Sequence, residues 1–398
     1  MTVTPRDPAM ARDPAAFVAG AIAAQVIGGL VAQMSPFMIG GFMAGLSLSE
    51  REAGLVASVE FLTLAMTSIV IAPVLPRLSY RRVGLAAVAL ALLAQGASIF
   101  SASLEALVLL RGLAGIGEGA LCAVSLSVAA SHSRNPDKVY GYFQVAWALG
   151  SVPLFAAGGE LTAAYAHRGI LALIAGVTLA LSPLLLLIPD TRARREDAVA
   201  NTAQASPLLG VMTFAAIVLY LAASAALYAF SAALGERAGL DTSAVGYALT
   251  VASLVGLAGA GAAAALNIRW GRAIPISGFC AGFVLCALVL CLSHDRSVYT
   301  VALVASVVIY YFSIPYLFGL AAALDRSGRW AAAAGSAYLL GFAAGPLVAG
   351  AVIAAAGYAG FAAACVALTA VAWGLAMAVN RRLRGPARAA LPTDAPAT

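Results

Sequence analysis

Long stretches without charged residues, separated by short polar segments, dominate the pattern of the chain. Two of the apolar stretches contain charged residues: 53–75 contains Glu60, and 106–130 contains Arg111 and Glu118. A transmembrane α-helix needs about 20 apolar residues, each of which adds about 1.5 Å of rise. The runs without Asp, Glu, Lys, Arg or His are 14–49, 83–104, 139–159, 169–189, 198–235, 242–268, 273–292, 297–324 and 330–380.

The last run, 330–380, is about twice as long as one membrane crossing requires. Gly357 and Gly360 lie near its middle and supply the backbone freedom for a turn. This run counts as two spans, and each interrupted stretch counts as one. The pattern therefore predicts an all-α membrane protein with twelve transmembrane helices.

Composition and charge agree with a membrane protein. Of all residues, 62% are hydrophobic and 10% are charged, whereas soluble domains carry about 25% charged residues. A cytoplasmic N-terminus would place 18 of the 23 Lys and Arg residues on the cytoplasmic side, as the positive-inside rule requires. The net charge of +6 then reflects topology, not a nucleic-acid partner. We expect a multi-pass protein of the cell inner membrane with both termini cytoplasmic.

An internal repeat divides the spans into two groups of six. Gly54 in span two matches Gly246 in span eight at an offset of 192, and Arg77 matches Arg269 at the same offset. Many transporters consist of two related halves that rock about a central binding site. The repeat predicts an N-terminal six-helix bundle at 1–189, a cytoplasmic linker at 190–206, a C-terminal six-helix bundle at 207–380 and a cytoplasmic tail at 381–398.

The loops after spans two and eight resemble a family signature. The first loop, 72–82, reads APVLPRLSYRR, and the second ends in RWGR at 269–272. Both are similar to the G-x-x-x-D-R-x-G-R-R loop of the major facilitator superfamily, with Pro76 and Ile268 in place of the acid. The resemblance covers essentially the whole chain and implies a transporter of two pseudo-symmetric bundles. It also implies a cytoplasmic gate formed by Arg77, Arg81, Arg82, Arg269 and Arg272.

Two helix patterns extend this resemblance. Residues 341–350, GFAAGPLVAG, are similar to the G-x-x-x-G-P-x-x-G-G pattern that exporters of the family carry in span five, although this copy lies in span eleven. Residues 111–120, RGLAGIGEGA, are similar to span four of spinster-like members, which are linked to lysolipid or organic-anion transport. The first pattern favours export. The substrate subfamily is not assigned by either pattern.

Two carboxyl groups are expected near the middle of the membrane. Ser49-Glu50-Arg51-Glu52 is typical of a capping box that starts span two, which puts Glu60 about 15 Å deep. Glu118 lies at a similar depth in span four by the same rise. A charged group at this depth is costly and calls for a functional reason or a partner. We therefore predict that Glu118, together with Glu60, couples transport to protons.

The substrate site is predicted at the same depth between the two halves, as the family resemblance implies. Tyrosine offers an apolar ring and a hydroxyl group, which suits an aromatic or amphipathic solute. Arginine could hold an organic anion through two hydrogen bonds. The predicted substrate-binding residues are Gln33, Arg111, Tyr220, Tyr228, Tyr310 and Tyr311.

The sequence thus favours a proton-coupled secondary active transporter that exports a small organic solute, namely an organic anion or an aromatic or amphipathic compound. An uptake symporter, an uncoupled facilitator and a transporter-like membrane sensor stay open as alternatives. An enzyme is not expected, because the predicted spans contain no histidine and the three histidines fall in predicted loops. The five cysteines form no Cys-x-x-Cys pair. We expect a monomer without cofactor or metal, whose partners are the solute, protons and the bilayer.

The predicted topology can be tested by cysteine labelling from outside the cell. A cysteine placed at Arg194, in the predicted linker, should not react with an impermeant reagent in intact cells, because that segment is expected in the cytoplasm. A cysteine placed at Arg237 should react in the same cells. Labelling at position 194 without permeabilisation would contradict the topology.

Overall fold

The computed structural model describes residues 15–133, 136–190, 207–266, 269–324 and 329–384. Within these residues the chain is helical and contains no β-strand. The predicted linker, apart from Asp190, and the predicted tail beyond Arg384 lie outside the described residues.

The described helices follow the order of the predicted spans. They are α1 (Ala15–Leu46), α2 (Glu50–Ile71), α3 (Tyr80–Ile99), α4 (Leu104–His132), α5 (Pro136–Leu181), α6 (Pro207–Ala229), α7 (Ser231–Arg237), α8 (Thr242–Leu266), α9 (Ala273–Leu292), α10 (Arg296–Ala322) and α11 (Arg329–Arg384). Short 3-10 turns occupy Leu75–Arg77 and Ser182–Leu187. The predicted capping box is present at the start of α2, where Ser49 and Glu52 exchange hydrogen bonds.

Ten of the described helices are long and apolar enough to cross a membrane. Two of them, α5 and α11, have 46 and 56 residues, and each contains one residue with non-helical backbone angles. These residues are Ala166, with φ 49° and ψ −134°, and Gly357, with φ 65° and ψ −171°. Each long helix is therefore two helices joined at a kink. The arrangement is consistent with twelve crossings, and the all-α membrane fold is confirmed.

The chain reverses direction at these kinks. His167, at the kink in α5, lies beside Gly41 of α1. Leu184, in the 3-10 turn that follows α5, lies beside Gly20, which is more than twenty residues before Gly41 in α1. Gly357 adopts the left-handed conformation that glycine takes without strain. The turn predicted near residue 357 is therefore present.

The two ends of the helix bundle differ in charge, and we name them by their residues. The turn end contains the kinks at Ala166 and Gly357 and the starts of α2 and α8. The basic end contains Arg77, Arg81, Arg82, Arg269 and Arg272.

The two halves meet at the turn end through two interfaces that the internal repeat relates. Gly54 of α2 packs directly on the carbonyl oxygen of Pro346 in α11. Gly246 of α8 packs on the carbonyl oxygen of Phe155 in α5, where an added Cβ would lie 2.7 Å from the oxygen. Gly54 and Gly246 are separated by the offset of 192 found in the sequence. The small residues allow each pair of backbones to approach closely.

Hydroxyl groups one turn further along strengthen both interfaces. Ser58 of α2 accepts a hydrogen bond of 2.7 Å from the backbone N–H of Leu347 in α11. Thr250 of α8, again 192 residues later, donates a longer one of 3.4 Å to the carbonyl oxygen of Val152 in α5. Backbone contacts between the halves therefore close the turn end in this conformation.

Replacing Gly54 by Val should open the turn end, because the added side chain would overlap the Pro346 carbonyl group. The readout is cross-linking between cysteines placed at Glu160 and Tyr247, whose side chains join α5 to α8 at 2.9 Å. The five native cysteines are replaced first. We expect the cross-linked fraction to fall severalfold.

The matched control is Gly261→Val in α8, because an added Cβ there meets nothing within 4 Å. This variant should cross-link like the parent chain. Equal cross-linking in the Gly54 and Gly261 variants would show that the glycine contact does not hold the turn end closed.

Candidate functional site

The helix α4 lies tightly between α2 and α3 because glycines face both neighbours. A Cβ at Gly115 would overlap the carbonyl oxygen of Glu60 in α2. A Cβ at Gly117 would lie 2.5 Å from the carbonyl oxygen of Ala87 in α3. Such close backbones let the charged side chains of α4 reach partners on both neighbouring helices.

Arg111 of α4 forms a buried ion pair with Glu60 of α2. Its Nη1 lies 2.9 Å from Oε1 of Glu60, and both side chains are 0% exposed. Its Nε also donates a hydrogen bond of 3.2 Å to the hydroxyl of Ser98 in α3. An isolated charge in the middle of a membrane bundle is costly, so each partner makes the burial of the other tolerable.

Glu118 lies two turns further along α4 and has an uncharged partner. Gln95 of α3 donates a hydrogen bond of 2.9 Å from Nε2 to Oε1 of Glu118, whose side chain is also 0% exposed. We refer to Glu60, Gln95, Ser98, Arg111 and Glu118 as the polar cluster. Four buried atoms in it have no hydrogen-bond partner, namely Oε2 of Glu60, Oε1 of Gln95, Nη2 of Arg111 and Oε2 of Glu118.

The polar cluster contains two carboxyl groups and one guanidinium group. With both carboxyl groups ionised, the cluster would hold a net charge of about −1 without contact with water. One bound proton makes it neutral. This arrangement can therefore hold a proton and can release it only when the surroundings change.

The cluster matches part of the sequence prediction. The two carboxyl groups predicted at one level do belong to one cluster. Arg111 was predicted to meet the substrate, but here its head group is committed to Glu60 and is fully buried. Gln95 and Ser98 were missed. Their three-residue spacing in an otherwise apolar span places them on one helix face, which was the available signal.

An aromatic group in the C-terminal half lies at the contact between α10 and α11. The hydroxyl groups of Tyr310 and Tyr338 are 2.5 Å apart, and the ring of Tyr311 lies 5.5 Å from that of Tyr310. The ring of Tyr338 stacks on Phe342 at a centroid distance of 5.0 Å. We refer to Tyr310, Tyr311, Tyr338 and Phe342 as the tyrosine cluster. Tyr338 and Phe342 were not predicted, although their four-residue spacing puts them on one face of span eleven.

The remaining predicted tyrosines have different surroundings. Tyr228 of α6 donates a hydrogen bond of 2.6 Å to the carbonyl oxygen of Gln33 in α1 and so joins the two halves. Tyr220 is 1% exposed and packs against Phe279 and Phe283 of α9, inside the C-terminal half. The structure thus brings Gln33 and Tyr228 together and places Tyr220 in a hydrophobic core.

The predicted gate loop after α2 contacts its own half in this structure. Arg81 donates a hydrogen bond of 2.7 Å from Nε to a backbone carbonyl at the end of span six. Ser79 donates a hydrogen bond to the carboxylate of Asp190, and Nε of Arg82 lies 3.9 Å from the same carboxylate. The Ser79 hydrogen bond, with smaller help from the nearby arginines, lowers the pKa of Asp190. Asp190 thus provides a carboxylate beside the loop 72–82, which contains no acidic residue.

The other predicted gate residues flank the helix ends. Arg77 ends the 3-10 turn Leu75–Arg77. Arg269 is exposed between α8 and α9, and Arg272 is half-buried at the start of α9. The cytoplasmic gate formed by these arginines stays a prediction.

One histidine differs from the sequence prediction. His167 was expected in a solvated loop, but it is 5% exposed and neither ring nitrogen has a hydrogen-bond partner. The reason is the kink at Ala166, which turns the chain back against Gly41 and Gly45 of α1. His167 lies apart from the polar cluster, at the turn end.

Removing one partner of the buried ion pair should destabilise the fold. Glu60→Gln leaves the Arg111 guanidinium buried without a counter-charge, which costs about 3–5 kcal/mol in comparable sites. The measurement is thermal unfolding of the purified chain in detergent. The double variant Glu60→Gln with Arg111→Met should recover most of the loss, since it removes both charges.

Glu105→Gln is the control, because Glu105 is exposed in the first turn of the same helix α4. It should leave the unfolding temperature nearly unchanged. A Glu60→Gln variant as stable as the Glu105 control would show that the ion pair does not support the bundle.

Comparison with known proteins gives the family of this arrangement. The sequence profile of the Major Facilitator Superfamily matches residues 16–324, well over half of the chain. Comparison with curated protein sequences found no match.

Several solved structures share the fold. The chain resembles an inward-facing bacterial homolog to the human lysosomal transporter Spinster, with TM-scores of 0.69 for the occupied form and 0.73 for the unoccupied form, at 14% identity in both. The alignments cover 91% and 96% of this chain and 96% and 98% of those chains. A mutant of the nucleoside transporter NupG aligns with a TM-score of 0.68 at 12% identity, over 93% of this chain and 98% of that one. The chain therefore belongs to the major facilitator superfamily and is a multi-pass membrane transporter.

Proposed function

We propose that this transporter moves a small organic solute in exchange for protons, with Glu118 as the proton carrier. The observation that carries the proposal is the composition of the polar cluster, in which two carboxyl groups and one guanidinium group are 0% exposed. A neutral cluster holds one proton, and a change of conformation that admits water or a charged solute would let that proton leave.

The proton belongs on Glu118 in this proposal, because the two carboxyl groups have different partners. Glu60 faces the Arg111 guanidinium at 2.9 Å, which stabilises its ionised form. Glu118 faces the amide of Gln95, which carries no charge to balance it. Glu60 then acts as the fixed counter-charge of Arg111, and Glu118 is the group that changes its protonation state.

Alternating access is proposed to occur by rocking of the bundles at 1–189 and 207–380 about the interface between them. The glycine contacts of Gly54 and Gly246 hold the turn end closed, so a solute would reach the centre from the basic end. The positive-inside rule makes the basic end cytoplasmic, with both termini on that side of the inner membrane. A cytoplasm-facing state is the loading state of an exporter, which is the direction favoured by the pattern at 341–350.

The solute is proposed to bind between the halves, near Gln33, Tyr228, Tyr310 and Tyr311. The contact from Tyr228 to Gln33 puts α6 and α1 side by side at this level. We propose that Arg111 belongs to the proton-carrying part of the site and that Tyr220 supports the site from behind, because both side chains are buried within one half. The proposed working form is a monomer that needs no cofactor.

Glu118→Gln should abolish accumulation driven by a pH gradient while leaving solute binding or exchange partly intact. Glutamine keeps the size and the hydrogen-bonding capacity of the side chain but cannot release a proton. The measurement is uptake and efflux by reconstituted vesicles with and without an imposed pH gradient. Organic anions, aromatic compounds and lysolipids are screened first with the parent chain.

The control is Glu105→Gln, because Glu105 is exposed in the first turn of the same helix α4, outside the polar cluster. This variant should retain coupling to the pH gradient. Accumulation by Glu118→Gln at the rate of the parent chain would remove the role of Glu118 and leave Glu60 as the remaining carboxyl group of the cluster.

A further inference from the structure

The tyrosine cluster keeps part of its surface accessible, since all four of its side chains are half-buried. Tyr228, which is also half-buried, donates its hydrogen bond to the carbonyl oxygen of Gln33 in the N-terminal half. Tyr338 also lies close enough to Cys122 of α4, in the other half, for the two groups to interact electrostatically. Tyr338 is therefore on the side of its half that is near α4.

The hydroxyl pair of this cluster has a hydrogen-bonding capacity that the protein leaves unused. Each tyrosine hydroxyl carries one proton and can also accept a hydrogen bond. At the separation of 2.5 Å between the hydroxyl oxygens of Tyr310 and Tyr338, one hydroxyl donates to the other. The second O–H then remains able to donate to a third group, such as an oxygen or nitrogen acceptor on a bound solute.

Aromatic rings surround this donor. Tyr338 stacks on Phe342 with an interplanar angle of 25°, and Tyr311 meets Tyr310 edge to face at 73°. The faces of such rings carry partial negative charge and attract aromatic edges and cations.

Among the described residues, no cationic side chain is available to an anionic solute at this level. In the described part of the chain, Arg111 is the one Lys or Arg in the middle of a helix. The other described Lys and Arg residues lie within about one turn of a helix end, in a connecting segment or in the Ala166 turn. Its guanidinium is paired with Glu60 and 0% exposed. An anion held there would lose its hydration without gaining a counter-charge.

We propose that the tyrosine cluster positions an aromatic cation, with the hydroxyl pair of Tyr310 and Tyr338 donating to an acceptor on that solute. The proposal rests on the proposed function and names its substrate class. It replaces the organic anion among the classes that the sequence had left open.

The same geometry explains how the cation would be linked to the proton. Cys122, which is near Tyr338, lies four residues after Glu118, or about 6 Å along α4. A bound cation at that level would favour the ionised form of Glu118, so the proton would leave as the cation binds. The other ionisable groups around Glu118 are Glu60 of α2 and Arg111 and Cys122 of α4, whereas α3 presents the amide of Gln95 and α1 the Gly28 backbone.

The test uses two dyes that share a tricyclic ring but differ in charge, rhodamine 6G as the cation and fluorescein as the anion. Binding to the purified full chain in detergent is followed by fluorescence anisotropy, at a pH where fluorescein is fully ionised. We expect tighter binding of rhodamine 6G than of fluorescein. Tyr338→Phe keeps the ring and removes the hydroxyl, and it should weaken rhodamine 6G binding by about three- to tenfold.

Tyr165→Phe is the matched control, because Tyr165 is 65% exposed beside the Ala166 turn, and it should bind rhodamine 6G like the parent chain. Fluorescein binding as tight as or tighter than that of rhodamine 6G, absence of rhodamine 6G binding, or no loss in Tyr338→Phe would each overturn the proposal.

The pH dependence separates this proposal from the proposed function. Rhodamine 6G should bind more tightly as pH rises through the range in which Glu118 loses its proton, and Glu118→Gln should bind with little pH dependence. Loss of rhodamine 6G affinity in Tyr338→Phe without any pH dependence in the parent chain would leave the substrate class intact and remove the proton exchange. If coupled transport failed only in Glu118→Gln and the parent chain preferred fluorescein, the proton exchange would stand and the aromatic cation would be removed as the substrate class.

Discussion

A guanidinium group in the middle of a membrane bundle must find its counter-charge within the protein, and the ion pair of Arg111 with Glu60 meets this requirement. The pair is possible because glycines on α4 bring its backbone against α2, so that the side chains meet at 2.9 Å without water. Arg111 forms its ion pair with Glu60, so the other carboxyl group of the polar cluster, that of Glu118, has an uncharged partner. Glu118 accepts a hydrogen bond from Gln95, and this difference between the two carboxyl groups is the basis of the proposed proton-carrying role.

The helix α2 connects this cluster to the contact between the halves. Its residues Gly54 and Ser58 form the closed turn end with α11, and Glu60 lies only two residues further along. A change in the charge balance around Glu60 therefore acts on the same helix that holds the two halves together. The pair of α8 with α5 repeats this contact through Gly246 and Thr250, but α8 carries no acidic or basic residue. The two contacts share one closing geometry, and α2 is the helix of the pair α2 and α8 that also carries a buried carboxyl group.

The parts of the structure that depend on local sequence were predictable, whereas side-chain partners were not. Apolar run length indicated the spans, and the capping box indicated the start of α2. The offset of 192 indicated two related halves, and the paired contacts of Gly54 and Gly246 have the same offset in the structure. The partner of Arg111 depends on which face of α2 meets α4, and run length carries no such information. Sequence spacing alone therefore suggested a free arginine for the solute. His167 shows the same limit, since only the direction of the chain after Ala166 decides that it is buried.

The separation of charge and aromatic surface between the halves favours an indirect link between proton and solute. The N-terminal half holds the carboxyl groups inside a closed cluster, and the C-terminal half carries the tyrosine rings and their paired hydroxyls. In the proposed exchange, a solute held by the tyrosine cluster does not need to touch Glu118 to influence it, because charges interact over a longer range in a medium of low dielectric constant than in water. Direct competition for one carboxylate would instead require Glu118 to face the pathway. Its side chain points to Gln95 on α3, while its backbone oxygen faces Gly28 of α1, so the linkage that we propose is electrostatic.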